Sequence, residues 1–424
     1  MEKKQWKRFV RLHPKWPVPP NSVVQYLQQR SLGSRKAQCG RQLYKESFSN
    51  RRIPYLLEEK EYSLGEVNKV FASQWISDHA VVMGTKCNKL IVLYIWNGKM
   101  VCVPMISSTI PTEDGLIADE GSGIHAISLN PSQTCIATGA DNPNNLGVYA
   151  MPDFDPLCVG EACHRDWIFD LKWLDDEFIV TGSRDGTIAL WSVADCFQSD
   201  HASSASTSKH KSIRPRCHRH VTSSAGHFLH EDDHLLQKVR ALEFNSNRKE
   251  LASVVVSSGC ICFWDVCQFR EVQCRKLHHG RENVCLALSN SYSLYAVGSQ
   301  SHITLLDSRR GKTVCSLGIQ EECSGVRSVN FQGDILSAGT GMGAIKFIDV
   351  RKMQYLRKES GDFLCLQVGD GWLSRDDIYY SFFAEYAYPN AIYTHCFDDS
   401  GTRLFAAGGP LPTGLTGNYA GLFQ

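Results

Sequence analysis

The amino-acid sequence predicts an all-β protein, a seven-bladed β-propeller that follows a short N-terminal basic arm and helical segment. Two observations predict this fold. Units of three short apolar or alternating strands, separated by tight turns, recur seven times along the chain. The third strands recur at a nearly constant interval, since Tyr149 to Trp191, Trp264 to Leu306 and Leu306 to Ile348 are each 42 residues. Repeats of this length and strand content are typical of propeller blades.

The clearest units cover residues 165–193, 238–266 and 325–350, and their third strands end on Leu-Trp, Phe-Trp and Phe-Ile. Trp-Asp-like endings at a period of about 40–45 residues indicate WD40 repeats. The same template fits four further stretches. One large apolar residue marks the third strand of each unit: Leu93, Tyr149, Trp191, Trp264, Leu306, Ile348 and Phe423.

The chain divides into residues 1–60, a basic arm with short helices, and residues 61–424, the propeller. Basic and aromatic residues alternate between Met1 and Pro20. A helix is expected over residues 23–30, where Val23, Val24 and Leu27 share one face. Short helices outside a propeller bury their apolar faces on the same domain or in the groove of a partner.

Two features concern the edges of the ring. The last unit has only three strands, and natural sheets avoid an exposed edge, so we expect residues 61–65 to supply the fourth strand. A second feature is a His/Ser-rich insertion at 195–237, which we expect to be a mobile loop. A zinc site is the alternative to the expected absence of metal, because seven histidines lie in this stretch, but their irregular spacing argues against it: His201, His210, His218, His220, His227, His230 and His234.

Composition excludes several classes of partner. Lys and Arg total 45 against 44 Asp and Glu, a formal charge of +1, which argues against a nucleic-acid-coating protein. The apolar runs are far shorter than the ~18–20 residues needed to cross a bilayer, so no membrane partner is expected. No secretory signal is visible at the N-terminus. Seventeen cysteines without any Cys-x-x-Cys pair indicate small buried side chains in a cytosolic chain, and we expect the protein in the cytoplasm and nucleus.

Enzymatic chemistry is not indicated. The chain carries no phosphate-binding, nucleophile-elbow or zinc-protease motif, and no cofactor is expected. His164, Thr181 or Ser183, Asp185 and Trp191 resemble a catalytic set. In a propeller blade this combination is expected to form a buried hydrogen-bond chain instead.

A set of cations is predicted at one mouth of the central channel. First strands line the channel and begin on the face that carries the turns between second and third strands. His125, Arg240 and Arg327 stand near the start of first strands, and Lys86 and Arg184 stand in such turns. Scattered surface charge is one interpretation. The other is a binding site for a small acidic ligand, because guanidinium groups gathered together favour carboxylate or phosphate.

The opposite face carries a second pattern. An Asp and an Arg follow the third strand at the same offset in two consecutive units, namely Asp307 with Arg309 and Asp349 with Arg351. Third strands run towards this face, so both pairs are expected side by side. They either stabilise two turns or form a docking surface.

These Asp/Arg boxes resemble the WD-x-R motif of the WD40 substrate receptors of cullin-4 RING ubiquitin ligases, with Leu306 and Ile348 where the motif has Trp. Longer strings between about Leu64 and Gln424 are similar to the twelfth member of the cullin-4-associated-factor series and its "like" paralogues. The strings are NKVFASQW from Asn68, GTKCN from Gly84, GIHAI from Gly123, DWIF from Asp166, RENVCLA from Arg281, YAVGSQ from Tyr295, NAIYTHC from Asn390, and GGPLP and GNYAGL after Ala407.

The resemblance implies a non-catalytic receptor for proteins that end in acidic residues, typically paired glutamates. The five cations would then bind the substrate carboxylates, with a partial positive charge on His125 near neutral pH. The resemblance also implies that the boxes and the N-terminal helices bind the three-propeller adaptor of the ligase: Asp307, Arg309, Asp349, Arg351, Val23, Val24 and Leu27. The alternative is a WD40 scaffold that binds internal acidic or phosphorylated motifs.

Overall fold

A computed structural model describes residues 58–109, 123–196, 210–221, 237–319 and 324–424. These residues form seven separate sheets. Each sheet is a blade whose first three strands pair antiparallel in chain order, so the all-β, seven-bladed prediction is confirmed. The predicted arm and helix, including Val23, Val24 and Leu27, lie outside the described residues.

The first described strand is β1 (Glu59–Glu61). Blade 1 consists of β2 (Val70–Ser77), β3 (Ala80–Thr85), β4 (Leu90–Tyr94) and β5 (Lys99–Val103). Blade 2 begins with β6 (Ile127–Leu129), β7 (Cys135–Gly139), β8 (Leu146–Ala150) and β9 (Asp155–Gly160). Blade 3 begins with β10 (Ile168–Trp173), β11 (Phe178–Ser183) and β12 (Thr187–Ser192), and a 3-10 turn follows at Ala194–Cys196. The 195–237 insertion adds β13 (Lys211–Ile213) and β14 (Cys217–His220).

Blade 4 consists of β15 (Val239–Asn245), β16 (Glu250–Val255), β17 (Cys260–Asp265) and β18 (Arg270–Lys276). Blade 5 consists of β19 (Cys285–Ser289), β20 (Leu294–Gly298), β21 (His302–Asp307) and β22 (Lys312–Gly318). Blade 6 consists of β23 (Val326–Gln332), β24 (Ile335–Thr340), β25 (Ala344–Asp349), β26 (Gln354–Tyr355) and β27 (Cys365–Gln367). After β28 (Trp372–Leu373) and helix α1 (Asp377–Phe382), blade 7 consists of β29 (Asn390–Phe397), β30 (Leu404–Pro410) and β31 (Gly417–Phe423).

The core lies between the blades. Seven apolar clusters each join one blade to the next, and the cluster between blades 7 and 1 closes the ring. The seven residues that marked the third strands in the sequence are all buried, and each belongs to the cluster shared with the preceding blade. The repeat therefore reflects one packing contact made seven times, and its loss at one blade would leave a gap between two sheets.

The ring closes through a strand contributed by the N-terminal side. Strand β1 pairs antiparallel with β31, with Glu59 opposite Phe423, and the Tyr62 N–H donates to the Ala420 carbonyl at 2.9 Å. A strand from the N-terminal side closes the blade as predicted, but it covers residues 59–61 rather than 61–65, so only Glu61 of the predicted segment lies in β1. Near the other end of β31, strand β28 pairs with Gly417 and Asn418. Both additions cover an edge that would otherwise be exposed.

The insertion at 195–237 is more ordered than its composition suggested. Strand β14 is the outer strand of blade 3, with Thr187 opposite His220, and β13 pairs in parallel with β9 of blade 2. The expectation of a mobile loop is therefore wrong for residues 210–221, because this stretch supplies the hydrogen-bond partners that β12 and β9 need at their edges. The serine-rich stretch at 203–208 lies outside the described residues.

Candidate functional site at the mouth of the central channel

The first strands surround a central channel. We call the face with the turns between second and third strands the upper face, and the first strands begin there. One residue near the start of each first strand lines a cavity of about 260 Å³ in the channel, so that the ring contributes seven side chains: Phe71, His125, Phe169, Arg240, Val284, Arg327 and Tyr393. The structure thus brings His125, Arg240 and Arg327 together, as the repeat alignment predicted.

Several of these side chains point into the channel because the backbone bulges beneath them. The pairing of blade 4 passes from Val239 to Ala241 and skips Arg240. Phe71, Phe169 and Arg327 are skipped in the same way. A bulge bends the strand and redirects a side chain, so it places one residue in the mouth from each of blades 1, 3, 4 and 6. The alternation of inward and outward side chains along a strand does not predict such a bulge.

His125 is the aromatic centre of the mouth. Its ring stacks on Phe71 with centroids 4.5 Å apart, lies 6.0 Å from Trp167, and meets the ring of Phe169 edge-on. Burial, followed by the charges of Arg240, Arg184 and Lys86, lowers the pKa of His125 well below 6.5. The expected partial positive charge on His125 is therefore wrong. The residue is a neutral part of the wall, and its Nε2 atom has no hydrogen-bond partner among the described residues.

Arg240 is a cation without a carboxylate partner in the mouth. Its guanidinium lies over the ring of Phe169 at 4.1 Å, and it forms no hydrogen bond or ion pair with another described residue. Burial and the neighbouring charge of Arg327 lower its pKa to about 10. The group remains protonated at neutral pH and carries a positive charge that an anion in the channel would stabilise.

The remaining predicted cations have partners. Arg327 donates to the Ser324 carbonyl at 3.1 Å and pairs with Glu282 at 3.4 Å. Arg184 pairs with Asp166 at 3.5 Å and lies over the Trp167 ring at 4.5 Å. Both carboxylate contacts are long for charge-assisted hydrogen bonds, so an incoming carboxylate can compete for these arginines.

Two lysines hold the upper loop of blade 7, residues 411–416, beside the mouth. Lys86 donates to the Thr413 carbonyl at 3.4 Å, and Lys69 donates to the Pro412 carbonyl at 2.6 Å. Lys69 is 2% exposed, and burial together with the charge of Lys86 lowers its pKa to about 7. The sequence analysis missed Lys69 because a lysine just before a strand looks like an ordinary solvent-exposed residue.

Deeper in the channel, the charges balance one another. Lys172 pairs with Glu243 at 3.3 Å, and the Asp170 carboxylate accepts a 2.7 Å hydrogen bond from the Leu242 N–H. Burial raises the pKa of both Asp170 and Glu243. These residues alternate with apolar ones along two first strands, and only the packing of blade 3 against blade 4 pairs them. Among the described channel residues, Arg240 at the mouth is thus a cation without a hydrogen bond or ion pair, whereas Lys172 below it is paired.

On the lower face, each Asp/Arg box closes on itself. Arg309 donates to Asp307 at 3.1 and 3.2 Å, and Arg351 donates to Asp349 at 3.0 and 3.2 Å. Arg351 also pairs with Asp334 at 3.2 Å. Each Asp accepts the backbone N–H of its own Arg as well, so the boxes stabilise turns. They also lie at the ends of third strands in neighbouring blades 5 and 6, as the sequence predicted, and the Arg351 side chain is 57% exposed.

The catalytic-looking set is a buried brace of blade 3. The Trp191 indole donates to the Thr181 hydroxyl at 2.8 Å, and that hydroxyl contacts His164 Nε2 at 2.7 Å. His164 Nδ1 in turn contacts Thr187 at 2.8 Å. Thr181 rather than Ser183 completes the chain. Both ring nitrogens of His164 are thus occupied, which leaves it a poor metal ligand although Cys163 and His218 lie within reach.

Comparison with known proteins agrees with this architecture. Residues 53–424 match the family model of the β-propeller of DDB1- and CUL4-associated factor 12. The chain belongs to this family. The family is named for its association with DDB1 and CUL4.

A solved structure shows the same fold, and one curated protein matches a short stretch of the sequence. The solved structure of the WD40 repeats of RRP9 superposes with a TM-score of 0.59 at 14% identity, covering 86% of this chain and 97% of that one. A stretch of 99 residues is 27% identical to telomerase protein component 1 of Rattus norvegicus, which amounts to 23% of this chain and 4% of that much longer protein. None of the helices in the described residues has the length and hydropathy of a membrane span.

Proposed function

We propose that this protein is a non-catalytic substrate receptor of a cullin-4 RING ubiquitin ligase and that it recognises proteins by acidic C-termini of the Glu-Glu type. The observation that carries the proposal is Arg240, a protonated guanidinium in the mouth of the channel that has no carboxylate partner among the described residues. Family membership supports the receptor role.

The chemistry of the mouth fits a chain end. A terminal glutamate brings two carboxylates on one residue, and a glutamate before it brings a third. Arg327 is close enough for its charge to lower the pKa of Arg240. Forked guanidinium groups bind carboxylates through two hydrogen bonds. Aromatic walls around His125 exclude water and strengthen such contacts.

The size of the site favours a terminus over an internal segment. Seven side chains surround a cavity of about 260 Å³. An internal loop would have to enter and leave the same mouth as two strands, whereas a terminus enters once. We therefore place the α-carboxylate among the cations of the upper face: Lys86, Arg184, Arg240 and Arg327, with His125 as a neutral wall.

The lower face is proposed to bind the three-propeller adaptor of the ligase. Arg309 and Arg351 present guanidinium edges from adjacent blades while their aspartates hold the turns. Val23, Val24 and Leu27 of the arm are proposed to join this contact. Strand β1 runs antiparallel to β31 and therefore starts at the lower end of blade 7, so the first described residues lie on the lower side of the ring.

Peptide binding tests the receptor function. A peptide ending in Glu-Glu should bind the wild-type protein, whereas its C-terminally amidated form and the Arg240→Glu/Arg327→Glu variant should each abolish measurable binding. Arg270→Glu is the matched control, since Arg270 is exposed on the outer strand of the same blade as Arg240. Equal binding of the amidated peptide would refute recognition of a terminus and favour an internal acidic or phosphorylated motif.

Affinity purification tests the ligase role separately. Wild-type protein should recover the adaptor, and Arg309→Ala/Arg351→Ala should recover much less of it while still binding the acidic peptide. Failure of the wild-type protein to recover any adaptor would overturn this part of the proposal.

A further inference from the structure

A ridge of exposed aromatic side chains follows β28. We define the ridge as residues 376–386, which include α1 and the turn after it. Four of its large side chains are at least half exposed: Ile378 (50%), Tyr380 (64%), Phe382 (76%) and Tyr386 (66%). Scattered apolar residues on a surface are normal, but Ile378 and Phe382 lie four residues apart on one face of α1. Exposed large side chains gathered in one short segment in this way mark a contact site.

The ridge is anchored firmly enough to act as a surface. Asp376 caps the helix by accepting the Tyr379 N–H at 2.8 Å. Phe383 is half-buried and packs edge-on against Tyr388 with centroids 5.4 Å apart. Its ring also borders Gly414, where a Cβ atom would lie 3.3 Å from the ring. The exposed side chains are therefore held outward by neighbours that pack beneath them.

The ridge lies on the upper face beside the mouth. Leu373 pairs with Gly417 at the upper end of β31, and the Ser374 N–H donates to the Thr416 carbonyl at 2.8 Å. The loop that the ridge contacts at Gly414 is the loop whose carbonyls accept hydrogen bonds from Lys69 and Lys86. One loop thus separates the aromatic ridge from the cations.

The charge of the ridge is opposite to that of the mouth. The three charged residues within the ridge are acidic, namely Asp376, Asp377 and Glu385, against a single exposed arginine, Arg375, just before it. A ligand that is acidic throughout would be attracted by the mouth and repelled by the ridge. A chain that is acidic only at its end, and apolar or basic before it, complements both surfaces.

We infer that the ridge binds the part of a substrate polypeptide that precedes its acidic terminus, and that it selects apolar or basic residues there. Because this inference rests on the function proposed above, it adds a second determinant to the same binding event. The loop and a lysine side chain separate ridge from mouth by roughly 10–15 Å, which an extended chain crosses in about three to five residues. The ridge therefore contacts residues about four to eight positions from the terminus.

Peptide length provides the test. A four-residue peptide ending in Glu-Glu reaches only the mouth, whereas a twelve-residue peptide with Leu, Phe and Lys upstream of Glu-Glu reaches both surfaces. In Phe382→Ser/Tyr386→Ser, the long peptide should bind on the order of tenfold more weakly, and the short peptide should bind as before. Trp96→Ser is the matched control, because Trp96 is 75% exposed on the lower side of blade 1.

A charge exchange sharpens the test. Asp377→Lys/Glu385→Lys should bind a long peptide with upstream glutamates more tightly than the wild-type protein does, and the Leu/Phe/Lys peptide more weakly. Equal affinity of the long and short peptides for the wild-type protein, or equal losses of both in the ridge variant, would overturn the ridge inference and leave the proposed function intact. Failure of both peptides to bind wild-type protein would instead overturn the proposed function.

Discussion

Replacing Arg240 by methionine should make the free protein more stable and, at the same time, unable to bind an acidic terminus. Methionine retains an unbranched apolar stem against Phe169 but removes the guanidinium. The structure shows why the two effects have opposite signs: the charge lies in the channel, beside Arg327, without a carboxylate partner among the described residues. Until an anion binds beside it, this charge lowers the stability of the folded protein.

The magnitude follows from the pKa. Burial with the charge of Arg327 lowers the pKa of Arg240 to about 10, which makes its proton roughly 300-fold easier to lose than that of an ordinary arginine. At about 1.4 kcal/mol for each tenfold change in an ionisation equilibrium, holding the charge in the folded protein costs about 3 kcal/mol. Loss of the contact with Phe169 offsets about 1 kcal/mol of the gain. Arg240→Met should therefore raise the free energy of unfolding by about 2 kcal/mol at pH 7.

The stability difference between Arg240→Met and the wild-type protein depends on pH only above about pH 10. Below pH 10 the folded and unfolded states both hold the Arg240 proton, so the difference between wild-type protein and variant is constant. Between about pH 10 and 12.5 only the unfolded state holds it, so the wild-type protein gains stability as the pH rises and the difference shrinks. The advantage of the variant is thus fully present at neutral pH.

Denaturant unfolding at pH 7 measures this difference, and titration with a Glu-Glu peptide measures binding in the same preparations. Arg270→Met, an exposed site in the same blade, is the control and should change stability by no more than about 0.5 kcal/mol. A destabilised Arg240→Met protein, or one that still binds the peptide at wild-type affinity, would refute the reasoning.

Two further predictions concern neighbouring features. His125→Phe should retain binding of the acidic peptide within about threefold, because burial keeps His125 neutral and it contributes a stacked wall rather than a charge. Isothermal titration at pH 6 and pH 8 measures the affinity, and a large loss of affinity in the variant would show that His125 acts as a cation. Thr181→Val should lower the free energy of unfolding by about 1–3 kcal/mol, because it leaves Trp191 and the buried His164 without their shared hydroxyl. Thr313→Val, at an exposed site on the outer strand of blade 5, is the matched control and should change this free energy by no more than about 0.5 kcal/mol. An equally small change in Thr181→Val would contradict the assignment of Thr181 to the brace.

The number of blades and the place of each third strand could be predicted from the chain alone. Alternation and turn chemistry are local, and the large residue near the end of each third strand makes the same contact with the preceding blade every time. Trp264 and Leu306 therefore occupy equivalent positions of the sequence repeat because they make equivalent packing contacts in the ring. The side on which His125, Arg240 and Arg327 lie also follows from strand order.

What the tertiary structure decided depends on neighbours that are distant in sequence. The neutrality of His125 comes from burial and from charges on blades 1, 3 and 4, and the partner of Lys172 is a residue of the next blade. The burial of Lys69 comes from blade 7, more than 300 residues later. Electrostatic free energies act through space and through the exclusion of water, and a one-dimensional pattern contains neither. The sequence by itself therefore determined where the cations lie, and only the folded ring decided that Arg240 forms no hydrogen bond or ion pair with another described residue.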